Sequence, residues 1–154
     1  MSDERWAEVD QDIASATRHF SAAVRLNAEE PVGEDTWEGY KARMSLMHAM
    51  QAGHTSLETA LLRILDMLGE QRPSGESWHA DLIRRASRAS NTRPVILPPD
   101  LARAADRTRR FRHVAVRTYD QFEHEEAITA IDAAGILATA LQLAVTRFRS
   151  AIGG

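Results

Sequence analysis

At 154 residues the chain has room for one sizeable core, so residues 1–154 are expected to form a single domain. It contains no cysteine, which excludes disulfides, zinc-thiolate sites and cysteine nucleophiles together and suits a reducing setting. The net charge of −3 conceals an asymmetry: Arg84 to Arg117 holds ten of the 19 basic residues against two acids, Asp100 and Asp106, while the remainder is strongly acidic.

That basic segment is a candidate surface for nucleic acid or another anion, and the rest of the chain would repel phosphate. The plainer alternative is a solvated helix face neutralised by neighbouring acids. No apolar run approaches the roughly 18 residues of a membrane span, and the acidic start Met1-Ser2-Asp3-Glu4-Arg5 is unlike the basic leader of a signal peptide. A soluble, cytoplasmic protein without a membrane partner is expected.

In chain order, Trp6, Val9, Ile13, Ala16, Phe20 and Val24 recur at spacings of three and four, which predicts a first helix with a core-facing stripe. Asp3 and Glu4 suit its positive N-terminus. A second helix is predicted from Asp35, as N-cap, to Gly69, as stop, with Leu46, Met50, Leu57, Leu61, Ile64 and Leu68 on one face and a bend at Gly53. His54 and Glu58, four apart on the flank of that face, can pair with each other or present a polar couple to a cleft.

A short third helix is expected over Ser77 to Arg88. Pro98-Pro99-Asp100 opens a fourth, because proline is tolerated in a first turn. The last begins near Glu123 to Glu126 and carries Ala134, Leu137, Leu141, Val145, Phe148 and Ile152 along one side. No run alternates β-branched with polar residues, so the fold class is all-α, a bundle of four to five helices.

On a helical wheel the fourth element lines up Leu101, Ala105, Thr108, Arg112 and Tyr119, with Arg109, His113 and Arg117 on a second line beside it. With Arg107 and Arg110 these make a cationic surface holding one imidazole and one phenol. Asp106 is the sole acid from Leu101 to Thr118, so the pattern resembles a phosphate site more than a salt-bridge ladder. An arginine can grip a phosphodiester bidentately, and a histidine can move protons near neutral pH. Those are the parts of a metal-independent ribonuclease. The metal-dependent route needs converging carboxylates, which do not cluster in this segment, and the reading calls for neither metal nor cofactor. The competing reading of the same residues is structural: Arg112 neutralises Glu58 or another buried acid, Tyr119 ends a helix, and His113 lies on the surface.

The string Arg110-Phe111-Arg112-His113-Val114 followed by Tyr119 resembles the signature of HepT-like toxins, members of the HEPN superfamily. Thr55-Ser56-Leu57-Glu58, Pro73 to Gly75, Trp78-His79 and Arg93-Pro94 extend the likeness over roughly Met50 to the C-terminus. The resemblance implies a HEPN-like helical bundle that forms a homodimer, with two copies of an Arg-x4-His-x-Tyr motif facing each other and cutting RNA, tRNA among the candidates, without metal. It further implies a nucleotidyltransferase antitoxin as partner, able to attach AMP to the motif tyrosine, here Tyr119. Trp78 and His79 match family framework, Trp78 chiefly as an apolar side chain to bury.

One position departs from the pattern. Five residues after Arg112, where the motif has histidine, this chain has Arg117, and a guanidinium does not exchange protons near pH 7. Two expectations follow. Either His113 takes over the proton transfer, or the protein is a catalytically degenerate partner or modification target of a nucleotidyltransferase. A second register, Arg107-x5-His113, satisfies the looser Arg-x4–6-His spacing of the superfamily but leaves Tyr119 out of place, and ranks below the first. A third possibility is an adaptor whose basic face meets an acidic protein.

Overall fold

The computed structural model describes residues 3–29, 36–118 and 124–153, with the side chains of 114–118 and 124–125 outside the described set. It contains five helices: α1 (Asp3–Glu29), α2 (Trp37–Met67), α3 (Trp78–Ala86), α4 (Pro99–Thr118) and α5 (His124–Ala151). Apart from one isolated bridge between Ser90 and Arg93, no β-pairing occurs among the described residues. The all-α expectation holds, with five helices.

Helices α1 and α2 run antiparallel. Ser15 meets Ser56 at 2.9 Å, and Arg63 reaches back to Asp12 at 2.7 Å and Glu8 at 2.8 Å. The α1 stripe buries Trp6, Val9, Ile13, Ala16 and Phe20 as expected, but Ala23 rather than Val24 completes it, leaving Val24 37% exposed. At 3.6 residues per turn either the third or the fourth residue after Phe20 can carry the stripe on, and the packing selects the smaller one.

The N-cap of α2 is Thr36, not Asp35: its hydroxyl accepts the Gly39 N–H at 3.0 Å from an extended backbone. Asp35 itself lies outside the described residues. Gly53 answers a packing need. A β-carbon there would fall 2.8 Å from two ring carbons of the fully buried Phe20, so only glycine lets the ring seat against α2. Gly69 does stop the helix, at φ +72°, with the Glu70 and Gly69 amides bonded to the Leu65 and Asp66 carbonyls.

Helix α5 packs on α1 and α4. Ala134, Leu137, Leu141, Val145 and Phe148 are buried there, and Arg149 stacks over Trp6 and reaches Asp3. Within Glu126–Ala151 an 18-residue window reaches a mean hydropathy of 1.7, so by length and composition alone this helix could cross a membrane. It is not an unbroken apolar run, since Asp132, Thr139 and Gln142 interrupt it. Part of the hydropathy comes from Ile128, Ile136 and Leu143, which are exposed, and part from the side facing α1 and α4.

The α3–α4 connection is held by Arg93. Its guanidinium, almost fully buried, binds Glu70 at 2.6 and 3.2 Å and also donates to the carbonyls of Arg85, Arg88 and Pro94. The Ile96 and Leu97 amides both donate to the Ala86 carbonyl, and both side chains enter the core. This folds the connection back so that α4 starts beside α3 and crosses α2.

Candidate active site

The centre of the arrangement is Glu58, on the face of α2 that meets α4. Its side chain is 6% exposed, and three groups converge on it. His54, one turn earlier, places Nε2 3.3 Å away, off the line of a hydrogen bond. His79, at the start of α3, donates from Nδ1 at 2.5 Å. Arg112 of α4 lies 3.6 Å away. Burial pushes the Glu58 carboxyl up, but the two histidines outweigh it and hold the group below the ordinary carboxylate range. It is therefore an anion at neutral pH.

His54 is fully buried, and its Nδ1 meets the Thr108 hydroxyl at 2.9 Å. Thr108 gives its single hydroxyl proton to the Ala105 carbonyl at 3.0 Å, which leaves its oxygen to accept from His54. One orientation of the ring is thereby fixed between α2 and α4. The predicted His54/Glu58 couple is real, and it serves both readings: it fills a buried gap, and it sets an anion behind the cleft.

Arg112 sits at the edge of this buried cluster, one third exposed. The line expected to run along α4 divides by depth: Leu101, Ala105 and Thr108 are buried, and Arg112 is where the line emerges. It is a core-facing stripe rather than part of the cationic surface. On the second line Arg109 is half-buried and His113 exposed. A cleft of about 460 Å³ opens where α3 approaches α4, with Glu76, Ser77 and His79 on one wall and Arg109, Arg112 and His113 on the other.

Arg107, Arg109, Arg110 and His113 also line a second cleft, of about 580 Å³, against the start of α5. The Arg107/His113 register thus has a concavity of its own, while the Arg112/His113 pair shares its cleft with His79. Arg117 falls in the last turn of α4 but its side chain is outside the described set, and Tyr119 lies beyond the described residues.

The charge of the segment is less free than its composition suggests. Arg84 pairs with Asp81, Arg85 and Arg93 with Glu70, Arg103 with Asp100, Arg109 and Arg110 with Asp106, and Arg112 with Glu58. Arg88 and Arg107 have no ion pair among the described residues. Within α4 itself Asp100 pairs with Arg103 and Asp106 serves two arginines at once, which is more ion pairing than the spacing suggested, and α2, α3 and the connection after α2 supply the other acids. Exposed pairs of this kind are weak, and a phosphate can displace the carboxylate from arginines such as Arg110, whose side chain is 71% exposed.

His79 is the residue of this cluster that sequence reasoning missed. The four-residue spacing did bring out His54 beside Glu58 as a couple that could face a cleft. No pattern ties residue 79 to residue 58, which meet because the turn after Gly69 brings α3 back onto α2.

The described residues form a five-helix all-α bundle consistent with a HEPN-like protein, with Arg112 and His113 on the fourth helix and a buried acid of the second behind Arg112. The family model for HepT-like proteins matches residues 45–152, from within α2 to the end of α5, and the chain belongs to the HepT-like family of the HEPN superfamily. Membership sets it in the context of HEPN-type toxin–antitoxin components. Neither a curated protein nor a solved structure matches the chain.

Proposed function

We propose that the protein is a HEPN-type toxin ribonuclease acting as one domain, cutting RNA without metal and controlled by a nucleotidyltransferase antitoxin in the cytoplasm. One observation carries the reading: Arg112 is anchored from behind by the buried Glu58 anion and faces a cleft it shares with Arg109 and His113. A guanidinium so held keeps its remaining N–H groups for a phosphodiester and for the charge that builds up as the phosphorus is attacked. The attacking group is the neighbouring 2′-hydroxyl, which leaves a cyclic phosphate.

A homodimer suits this function. Ile128, Ile136 and Leu143, exposed at spacings of eight and seven, lie along one side of α5 and offer a second copy an apolar stripe. Purified protein is expected to cleave total RNA or tRNA, and Arg112→Ala to abolish cleavage. Intact RNA at concentrations where a related toxin cuts would refute the assignment.

Arg117 in the motif-histidine position favours a second reading, a catalytically degenerate protein that docks the nucleotidyltransferase as partner or modification target. Gain of cleavage or of growth arrest by Arg117→His, with an inactive wild type, decides for it. Under either reading the partner enzyme and ATP add the mass of AMP to Tyr119, and equal modification of Tyr119→Phe rejects that acceptor. An adaptor that meets only acidic protein would show no salt-sensitive RNA binding.

A further inference from the structure

Cleavage through a 2′-hydroxyl needs a group that accepts its proton, and Arg117 does not supply one. His113 is exposed and backed by no carboxylate among the described residues. His79 is differently placed. Its Nδ1 is bound at 2.5 Å to Glu58, an acid buried on α2, and its ring is stacked on Trp78 with centroids 3.7 Å apart. The ring is one third exposed and lines the same cleft as Arg112. With Nδ1 committed to the carboxylate, the edge bearing Nε2 is the one left to the cleft. A carboxylate that fixes one nitrogen of an imidazole, orients the ring and stabilises its charged form is the arrangement that makes a histidine a general base.

We propose that the Glu58–His79 pair supplies the proton transfer of this site: His79 is the catalytic base, and Glu58 and Trp78 are positioning residues. The inference rests on the RNA-cleaving reading. Nε2 of His79 takes the proton of the 2′-hydroxyl, and the 2′-oxygen forms a bond to phosphorus while the bond from phosphorus to the 5′-oxygen breaks. Arg112 holds the non-bridging oxygens. The leaving 5′-oxygen receives a proton from His113 across the cleft, giving a 2′,3′-cyclic phosphate and a 5′-hydroxyl. The charged and titratable groups around His79 are Glu58 from α2, with His54 behind it, Glu76 from the turn before α3, and Arg109, Arg112 and His113 from α4. Glu58 therefore has a double office, since one carboxylate oxygen serves His79 and the other faces Arg112.

The test compares full-length wild type, Arg112→Ala, His79→Gln and His79→Ala on a defined single-stranded RNA across pH, with circular dichroism as a folding control. Glutamine keeps an N–H for Glu58 and a planar group under Trp78, so it separates chemistry from packing. The expected result is a fall of about 10²–10⁴-fold in kcat for His79→Gln, with the rise of rate on the acidic side of the pH profile lost. Added imidazole is expected to restore part of the activity of His79→Ala. If His79→Gln cleaves as fast as wild type while Arg112→Ala is dead, the role of His79 is overturned and the ribonuclease assignment stands. A wild type that cleaves no RNA overturns both.

Discussion

Replacing Glu58 by glutamine keeps the side-chain volume and removes one charge at the point where α2, α3 and α4 meet. Three effects add. The charge-assisted bond from His79 becomes an ordinary one, a difference of about 1 kcal/mol. Arg112, 3.6 Å away, loses a gross attraction of roughly 4–5 kcal/mol at an effective dielectric of about 20, most of which is offset by the desolvation that the buried carboxylate no longer suffers. His54 loses an anion at 3.3 Å inside the core. A net destabilisation of about 2–3 kcal/mol at neutral pH follows, which for a chain of this length lowers Tm by roughly 5–10 °C.

The effect also has a pH signature. The Glu58 carboxyl in the folded protein lies below its ordinary value of 4.5, so the stability it contributes is present above that value and is lost as pH falls through the folded one. Glutamine does not titrate. The gap between wild type and Glu58→Gln in urea denaturation is therefore full at neutral pH and closes below about pH 4.5. A variant as stable as wild type at neutral pH, or a gap unchanged down to pH 3, would sink the description of Glu58 as a buried anion.

Gly53→Ala forces a β-carbon to within 2.8 Å of the buried Phe20 ring; overpacking of about 1–3 kcal/mol outweighs a helix-propensity gain of about 1, and the urea midpoint is expected to fall. Arg93→Met leaves Glu70 with Arg85 alone and strands three carbonyls, and a loss of about 2–4 kcal/mol is expected by thermal denaturation; an unchanged Tm would show that the connection is held by Ile96 and Leu97 alone. Asp106→Asn releases Arg109 and Arg110, so binding of single-stranded RNA at low salt is expected to tighten by roughly fivefold, read by fluorescence anisotropy. Weaker binding would mean that Asp106 positions those arginines rather than occupying them.

Much of the helical frame was legible because its signals are local. Gly69 and the Pro98-Pro99 pair are punctuation that backbone geometry enforces, and the stripes of α1 and α5 follow from a fixed number of residues per turn. The errors are local too. Thr36 and Asp35 are both good caps, and Ala23 and Val24 both continue the α1 stripe, so only packing separates them. The site was legible on α4 and on the His54/Glu58 flank, where spacing alone makes neighbours.

What the sequence could not show is pairing across elements. The basic run from Arg84 to Arg117 looked unopposed because two of its acids, Glu58 and Glu70, lie on other elements, up to 54 residues distant in the chain. Once folded, each arginine has a different status. Arg93 is a buried tie, Arg109 and Arg110 share a half-buried acid, and Arg112 leans on a buried one. Among the described residues, Arg112 joins a buried counter-charge to an opening onto a cleft. An exposed pair must be broken before a phosphate can bind, whereas Arg112 can keep Glu58 and still present its outer N–H groups. Composition made the whole segment look functional; burial narrows it to the one arginine whose counter-charge also orders an imidazole.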